Sequence, residues 1–307
     1  MKLAFLGTSA FACPALRALD QAYGVDLVIT QPDRPVGRHA RLTPSAVKSV
    51  ALDRGLAVFQ PDNINTPDAV ARLTELSLDA IVVASYGQLL KPAVFQAAQW
   101  GAINIHASLL PAYRGAAPVQ WAIIRGEART GVSTFFIEKG LDTGDVLMEI
   151  ATEIGPDETA AEVEERLAQL GAGLIVDTLE ALADGTARPV PQPADGVSLA
   201  PSLTRDDGRI DWEQPAVRIH NLVRGTIPWP GAWTQLDGKR VKIHRTKLTA
   251  LASGVRTPGQ IGPEETNRLL VGTGSQLLEI LEIQREGKGR TTGAEFLHGA
   301  TLPARFT

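Results

Sequence analysis

Cysteine is almost absent from this chain, which has a single one, Cys13, among its 307 residues. One thiol cannot form an internal disulfide, so the sequence excludes a disulfide-stabilised secreted domain and favours the reducing cytoplasm. No apolar run approaches the roughly 18–20 residues of a membrane helix, and the first residues lack the basic segment and cleavage site of a leader. We therefore expect a cytoplasmic protein that makes no membrane contact.

Several cofactor motifs are also missing. The first predicted strand, Leu3–Leu6, is not followed by G-x-G-x-x-G, which argues against a nicotinamide dinucleotide site. The chain has no G-x-x-x-x-G-K-[ST] run and so no ordinary phosphate-binding P-loop. No cysteine and histidine residues have the spacing of zinc ligands, so we expect no metal.

Charge is low overall but unevenly distributed. The formal net charge is −4, whereas residues 202–307 hold 15 Lys and Arg against 11 Asp and Glu, which leaves residues 1–201 at −8. Five of these cations fall within residues 239–247: Lys239, Arg240, Lys242, Arg245 and Lys247. A charged strand edge often serves only to deter aggregation, but a basic third of a chain can also contact nucleic acid.

The most informative segment is A-I-N-I-H-A-S-L-L-P-A-Y-R-G at residues 102–115, followed by G-L-D-T-G-D at residues 140–145. Because side chains alternate along a strand, Asn104 and His106 lie on one face and two isoleucines on the other. An amide and an imidazole side by side can polarise a carbonyl and move a proton. Asp142, in the second motif, could orient His106.

Taken singly, each of these residues has an ordinary structural interpretation. An Asn near a strand end is most often a turn residue, a lone His is most often a structural group, and an Asp between glycines is most often a loop former. Together, however, Asn104, His106 and Asp142 lie at the ends of two predicted strands, and open parallel sheets bind ligands at strand ends. The spacing favours a site without naming its reaction.

These two motifs resemble those of the folate-dependent formyltransferase superfamily. The resemblance implies transfer of a formyl group from 10-formyltetrahydrofolate to an amine, with Asn104, His106 and Asp142 as the catalytic set. It also implies a folate pocket in the Y-G-Q-L-L segment after a central strand and in the apolar turn after His106. Its residues would be Tyr86, Gly87, Gln88, Leu89, Leu90, Ser108, Leu109, Leu110 and Pro111.

Two further stretches resemble the methionyl-tRNA formyltransferase family within that superfamily. T-Q-P-D-R-P-V-G-R-H-A-R-L-T-P-S-A-V-K at residues 30–48 resembles an inserted loop that reaches the initiator tRNA, which implies contacts from Arg34, Arg38 and Arg41. R-I-D-W at residues 209–212 and P-W-P-G-A-W at residues 228–233 resemble the C-terminal domain of that family. Beside this loop, the basic run at residues 239–247 becomes a candidate second tRNA-contacting surface. We expect Trp229 and Trp233, flanked by prolines, to pack rather than stack on bases.

Apolar strands alternate with helical segments in the first part of the chain, which predicts a Rossmann-like, mostly parallel α/β sheet. We assign residues 1–188 to a folate-binding catalytic domain and the proline-rich residues 189–204 to a linker. In residues 205–307, short strands with glycine turns suggest a small barrel. The resemblance implies an OB-like, tRNA-binding domain there.

The interpretation that fits the whole chain is transfer of formyl from 10-formyltetrahydrofolate to the α-amine of initiator Met-tRNA. The nearest alternative is a formyltransferase acting on a nucleotide-linked amino sugar, which shares the core motifs but does not need the inserted loop. A tRNA- or folate-binding protein with a lapsed site is a third, against which the intact Asn104, His106 and Asp142 argue. We expect a monomer.

Overall fold

A computed structural model of the chain describes residues 1–36, 41–252, 256–261, 267–298 and 304–307. The chain forms two compact units. The first contains Met1–Ala116, Thr130–Thr152 and Glu164–Ala200, and the second contains Ala117–Arg129, Glu153–Val163 and Pro201–Thr307. No helix in these described ranges is long and apolar enough to cross a membrane.

The described residues 1–36 and 41–153 contain nine strands: β1 (Leu3–Gly7), β2 (Leu27–Ile29), β3 (Arg34–Val36), β4 (Arg41–Thr43), β5 (Val58–Phe59), β6 (Ala80–Ala84), β7 (Ala102–His106), β8 (Arg129–Phe136) and β9 (Val146–Glu153). Seven form one sheet in the order β5-β2-β1-β6-β7-β8-β9, while β3 and β4 pair as a separate hairpin. From β5 to β7 the strands are parallel, which confirms the predicted sheet. Strands β1 and β6 are buried along their whole length because they consist almost entirely of apolar residues.

Eight helices accompany the strands in the described residues: α1 (Cys13–Tyr23), α2 (Ala46–Asp53), α3 (Pro67–Glu75), α4 (Pro92–Phe95), α5 (Pro118–Arg125), α6 (Ala160–Ala183), α7 (Ala216–Gly225) and α8 (Gly293–His298). The predicted capping box of α6 is confirmed, since the Thr159 backbone N–H donates to the Glu162 carboxylate at 2.8 Å. Further along this helix, Gly171 faces Ile105 so closely that an added Cβ would lie 2.8 Å from its methyl carbon. Helix α6 therefore covers the isoleucine face of β7 and leaves the opposite face to Asn104 and His106.

Strand β8 departs from the parallel pattern. It runs antiparallel to β7, with Ile103 opposite Phe136 and His106 opposite Ser133. Its carboxyl end therefore lies beside the start of β7, not beside the end of that strand where His106 lies. The expectation that both motifs follow strands ending at one edge of a parallel sheet is wrong for β8, and residues 137–145 must fold back to bring Asp142 to His106.

The proline-rich segment predicted as a linker is attached to the first unit up to Ala200. Val190 and Val146 exchange two backbone hydrogen bonds, and Arg114 accepts a third from the Ala200 N–H at 2.8 Å. The Arg114 N–H donates to the carbonyl of Ser198 at 2.9 Å. These bonds run the segment along the turn that follows β7.

The second unit contains seven strands in its described part: β10 (Ala232–Leu236), β11 (Lys239–Ala252), β12 (Gln260–Ile261), β13 (Leu269–Val271), β14 (Gln276–Arg285), β15 (Arg290–Thr292) and β16 (Ala304–Arg305). They pair antiparallel in the order β10-β11-β14-β13-β12-β16, with β15 beside β14. Two backbone hydrogen bonds between Gln235 and Thr307 connect the first strand to the end of the chain and close a small barrel. The predicted barrel is confirmed.

The hairpin between β10 and β11 has the predicted two-residue turn. Asp237 and Gly238 both have positive φ, 51° and 73°, which the tight hairpin turn requires at both positions. The barrel is filled by apolar side chains and by an aromatic pair, in which the Trp212 ring stacks on Phe306 with centroids 5.5 Å apart. The Trp212 indole N–H donates to the Thr234 hydroxyl at 2.9 Å, so its polar group is satisfied inside this core.

Candidate active site

Asn104 and His106 stand on the face of β7 opposite α6. Phe135, which is paired with Asn104 on β8, meets the His106 ring edge to face at 6.3 Å, and this contact confirms that the three side chains share a face. His106 is buried and Asn104 is half-buried. Among the described residues, no hydrogen bond uses the Asn104 side-chain amide, so it can donate to a bound group.

Acceptors lie at both nitrogens of the His106 ring. The Nε2 atom is 2.9 Å from the carbonyl oxygen of Tyr113, and Nδ1 is 3.8 Å from Oδ2 of Asp142. The side chains of His106 and Asp142 are only 6% and 17% exposed, so little water screens their interaction. Each ring nitrogen therefore faces an oxygen, but only Nε2 lies within hydrogen-bond distance of one.

Asp142 has a left-handed backbone conformation, and a backbone N–H holds its carboxylate. Its φ of 51° lies in the left-handed region, which Asp tolerates better than most residues. The backbone N–H of Gly115 donates to Asp142 Oδ2 at 2.8 Å, which fixes the same oxygen that faces His106. Gly115 has a φ of 122°, and a Cβ there would lie 2.7 Å from the carbonyl oxygen of Ala200.

One residue that contacts this loop has no signal in the sequence. The Gln192 amide donates to the backbone carbonyls of Asp142 and Gly144, both at 2.8 Å. Its oxygen accepts from Arg114 Nη2 at 2.7 Å and from Nε at 3.1 Å. Because Gln192 stands between two prolines in a predicted linker, composition alone classes it as a spacer.

The apolar turn after His106 is fixed from within and from β8. The Ser108 hydroxyl donates to the carbonyl of Ala112 at 2.6 Å, and the N–H of Leu110 donates to the Ser133 hydroxyl at 3.1 Å. Leu109 lies against Gly131 of β8, where an added Cβ would collide with it. These contacts fix Ser108, Leu109 and Leu110, three of the four residues predicted to bind folate in this turn; the fourth is Pro111.

The second predicted folate segment follows β6, the neighbour of β7. Tyr86 is buried in the apolar core, and burial raises the pKa of its phenol to about 12. The Gln88 carboxamide accepts from the N–H of Ile64 at 2.9 Å and donates to the carbonyl of Asp62 at 3.1 Å, so it holds the loop in place. Within the described residues, no hydrogen bond occupies the backbone groups of Gly87 or Leu90.

The inserted loop is only partly described. Arg34 and Arg41 lie on the exposed β3–β4 hairpin, whereas Arg38 lies outside the described residues. The Arg34 guanidinium makes a long hydrogen bond of 3.5 Å to Gln31, and no ion pair fixes either arginine within the described part of the chain. Both cations therefore face solvent.

The basic run lies on β11, and its five cations are all exposed: Lys239, Arg240, Lys242, Arg245 and Lys247. Strict alternation would place Arg245 on the buried face with Val241 and Ile243. Register shifts around Arg245 prevent this, so that Arg245 stays outside and Thr246 takes the buried position. The bulge thus keeps the whole basic run on the surface.

Two of these cations line a surface hollow of about 240 Å³ in the second unit, together with Arg205, Trp229, Pro230 and Trp233. The Arg240 guanidinium lies 4.0 Å from the centroid of the Trp233 ring. Trp233 is buried, as expected, but Trp229 is 54% exposed, so the expectation that it packs is wrong. A half-exposed indole beside cations can stack on a base while the cations contact phosphate.

The described residues contain no group of three or more His, Cys, Asp or Glu side chains placed to hold a metal ion. The buried His220 is instead satisfied structurally. Its Nδ1 lies 2.8 Å from the Thr246 hydroxyl and its Nε2 lies 3.0 Å from the carbonyl of Pro156. Burial lowers the pKa of His220 below its ordinary value, so the ring is held neutral.

Comparison with known proteins places both parts of the chain. Residues 1–179 match the formyl transferase family, and residues 202–301 match the C-terminal domain of formyl transferases. Methionyl-tRNA formyltransferase from Solibacter usitatus is 48% identical over 303 residues, which cover 98% of this chain and 96% of that protein. Its counterpart from Acidobacterium capsulatum is 47% identical, over 98% of this chain and 97% of that protein.

Among solved structures, the N-formyltransferase from Helicobacter canadensis, in complex with folinic acid and dTDP-3-aminofucose, has a TM-score of 0.70. It is 18% identical in sequence, over 93% of this chain and 99% of that protein. Likeness at this level of identity establishes the fold alone.

Proposed function

The chain belongs to the formyl transferase family, and from that premise we propose that it transfers the formyl group of 10-formyltetrahydrofolate to the α-amine of methionine on initiator tRNA. Relatives named for this reaction are nearly half identical over nearly the full length. The observation that carries the proposal is the placement of His106 beside Asp142. Asn104, two residues before His106 on the same strand face, has a side-chain amide that forms no hydrogen bond within the described residues.

In the proposed reaction, Asn104 and His106 act on the formyl oxygen. As the deprotonated amine adds to the formyl carbon, negative charge develops on that oxygen, and the Asn104 amide and a protonated His106 donate to it. Preorganised donors in a site with little water stabilise such charge strongly. The carbonyl of Tyr113 occupies Nε2 at 2.9 Å, so we assign the donation to Nδ1, which lies 3.8 Å from the Asp142 carboxylate and is not hydrogen-bonded to it.

The bond changes balance without an outside reactant. The C–N bond to the methionine amine forms, the C–N10 bond to folate breaks, and one proton must move from the amine to N10. We assign this transfer to Asp142 acting with His106, through water where the carboxylate does not reach. The folate supplies a formyl group already activated on N10, so the protein has to orient and stabilise rather than activate.

The residues after β6 and β7 suit a folate ring. The backbone groups of Gly87 and Leu90, which form no hydrogen bond within the described residues, offer donors and acceptors to a pterin. The buried Leu110 supplies an apolar wall beside His106. Ligand pockets combine such apolar walls with a few fixed polar groups.

Binding of tRNA falls to cations of the inserted loop and of β11. We assign phosphate contacts to Arg34, Arg38 and Arg41 of the inserted loop and to the basic run on β11. The hollow beside Trp229 adds an aromatic surface among cations, which suits an unpaired nucleotide. Phosphate contacts give salt-dependent affinity, so the low net charge of the whole chain does not oppose this role.

The experiment that tests the proposal is formyl transfer from labelled 10-formyltetrahydrofolate, with methionine-charged initiator tRNA and a nucleotide-linked amino sugar offered in parallel. We expect labelled formyl-methionyl-tRNA and no labelled sugar. Formylated sugar as the product would overturn the acceptor while leaving the chemistry at His106 in place. No transfer to either acceptor would refute the proposed function.

A pair of histidine variants tests the assigned site. His106→Ala removes a donor to the developing charge and should lower the rate constant about 10²- to 10⁴-fold, with folate still bound. His298→Ala, at an exposed position at the end of α8, is the matched control and should keep the normal rate. A near-normal rate for His106→Ala would refute the catalytic set.

A further inference from the structure

The carboxamide of Gln192 forms four hydrogen bonds in the first unit. Its oxygen receives both Arg114 bonds, at 2.7 and 3.1 Å, and its nitrogen gives one bond each to the carbonyls of Asp142 and Gly144 at 2.8 Å. A glutamine side chain has two acceptor lone pairs and two N–H groups, so nothing on it is left unused. Such complete pairing is unusual for a residue between two prolines in a segment composed like a linker.

The contacts of Gln192 join three segments whose relative positions matter for the proposed chemistry. Arg114 lies in the turn that supplies the Tyr113 carbonyl to His106, and Asp142 lies in the loop that returns from β8. The proline-rich segment that carries Gln192 is itself fixed on both sides, by Val190 to β9 and by Ala200 to Arg114. The backbone that carries Gln192 is therefore fixed, unlike that of a flexible linker.

The loop needs such a contact because its own backbone does not favour its conformation. Asp142 has a φ of 51°, in the left-handed region, which Asp adopts less readily than glycine even though it tolerates it better than most residues. Its carboxylate is fixed by Gly115, but its carbonyl is fixed by Gln192. Holding both ends of the residue sets the direction in which the carboxylate points.

We propose that Gln192 is a positioning residue, whose carboxamide fixes the loop at Asp142 and Gly144 so that the Asp142 carboxylate stays against His106. It acts through Asp142 and touches neither the folate nor the amine. This inference rests on the proposed function, because the rate it controls is that of formyl transfer. A displacement of about 1 Å in a catalytic group costs as much as 10²-fold in rate, which sets the size of the effect.

Two substitutions separate the halves of the carboxamide. Gln192→Glu keeps the length of the side chain and the pairing with Arg114, but it has no N–H for the two loop carbonyls. Gln192→Met keeps the length, makes none of the four bonds and adds no charge. We expect each to lower kcat for formyl transfer by about 10- to 100-fold while KM for folate changes less than about threefold.

Val190→Thr is the matched control. Val190 lies two residues from Gln192 on the same segment and is 59% exposed, so the substitution should leave kcat and KM unchanged. A general loosening of the segment would instead lower thermal stability and alter KM in all three variants. Normal kcat in both Gln192 variants would overturn the proposal.

The decisive readout is the effect of Gln192→Met when the Asp142 carboxylate is already absent. If Gln192 acts through Asp142, Gln192→Met should cost less than about twofold in an Asp142→Ala background, although it costs at least about tenfold in the parent protein. Equal losses in both backgrounds would show a role unrelated to Asp142 and refute the inference.

Amide hydrogen exchange keeps this inference separable from the proposed function. Peptides covering residues 138–145 should exchange faster in Gln192→Met than in the parent and in Val190→Thr, whatever the acceptor proves to be. If the parent protein forms no formyl-methionyl-tRNA, the proposed function fails, while unchanged exchange refutes the hold on the loop. Faster exchange with normal transfer kinetics refutes only the catalytic consequence.

Discussion

Substitution of Gly115 by alanine should damage the stability and the activity of this protein together. The residue has a φ of 122°, a conformation that costs an L-residue about 1–3 kcal/mol. The added Cβ would also lie 2.7 Å from the carbonyl oxygen of Ala200, so the backbone must move. That movement endangers the hydrogen bond of 2.8 Å from the Ala200 N–H to Arg114, worth about 1 kcal/mol. We expect a loss of about 2–4 kcal/mol in the free energy of unfolding.

The activity should fall because the Gly115 N–H holds the Asp142 carboxylate at 2.8 Å. A hydrogen bond to a charged group contributes about 1.5–3 kcal/mol, and each 1.4 kcal/mol in the barrier is about tenfold in rate. Losing this bond should therefore lower kcat by about 10- to 100-fold. The assays are denaturant unfolding and single-turnover transfer of labelled formyl to Met-tRNA.

Gly185→Ala is the matched control for this substitution. Gly185 also has a positive φ, 66°, but an added Cβ there meets nothing within 4 Å. It should lose only about 1 kcal/mol of stability and keep the normal rate. If Gly115→Ala proved as stable as Gly185→Ala and as active as the parent, the assigned support of Asp142 would be refuted.

Three further predictions concern the second unit. Burial lowers the pKa of His220 below 6.5, so as the pH falls the imidazole is protonated in the unfolded chain before it is protonated in the folded one. The melting temperature should therefore decline below about pH 6.5, and it should decline less steeply in His220→Gln. Trp212→Ala removes the ring stacked on Phe306 and should lower the free energy of unfolding by about 3–5 kcal/mol in denaturant titration; a loss below 1 kcal/mol would contradict the assigned core. Lys242→Ala removes one assigned phosphate contact, so the slope of log KM for tRNA against log salt concentration should fall by about 1. Lys2→Ala should leave this slope unchanged.

Short-range sequence patterns predicted much of the fold. The alternation of residues 102–106 placed Asn104 and His106 on one face, because strand side chains point to opposite sides whatever the strand packs against. The turn at Asp237 and Gly238 and the capping box at Thr159 were likewise readable, since each depends on residues at most a few positions apart. In all of these the interacting groups are close in the chain.

The candidate site was foreseen only in part. The motifs and their resemblance to a family named His106 and Asp142, and the structure brings these two side chains to 3.8 Å. The motifs do not show how the chain brings these side chains together. Because β8 runs antiparallel to β7, the loop after β8 must fold back along that strand to reach His106. The carbonyl of Tyr113 and the carboxamide of Gln192 escape a residue pattern, since a backbone oxygen has no side-chain signature and Gln192 lies 50 positions from Asp142.

The sequence by itself determined the elements and the chemistry they could carry: apolar strands, capped helices, a basic run and an Asn-His-Asp set in two motifs. Tertiary structure alone decided the direction of β8, the bulge that keeps Arg245 outside, the closure of the barrel through Thr307 and the hold of Gln192 on the loop. Each of these depends on which distant backbone groups find one another as hydrogen-bond partners. Local propensity does not specify such partners, because satisfying every buried donor and acceptor is a condition on the whole folded chain.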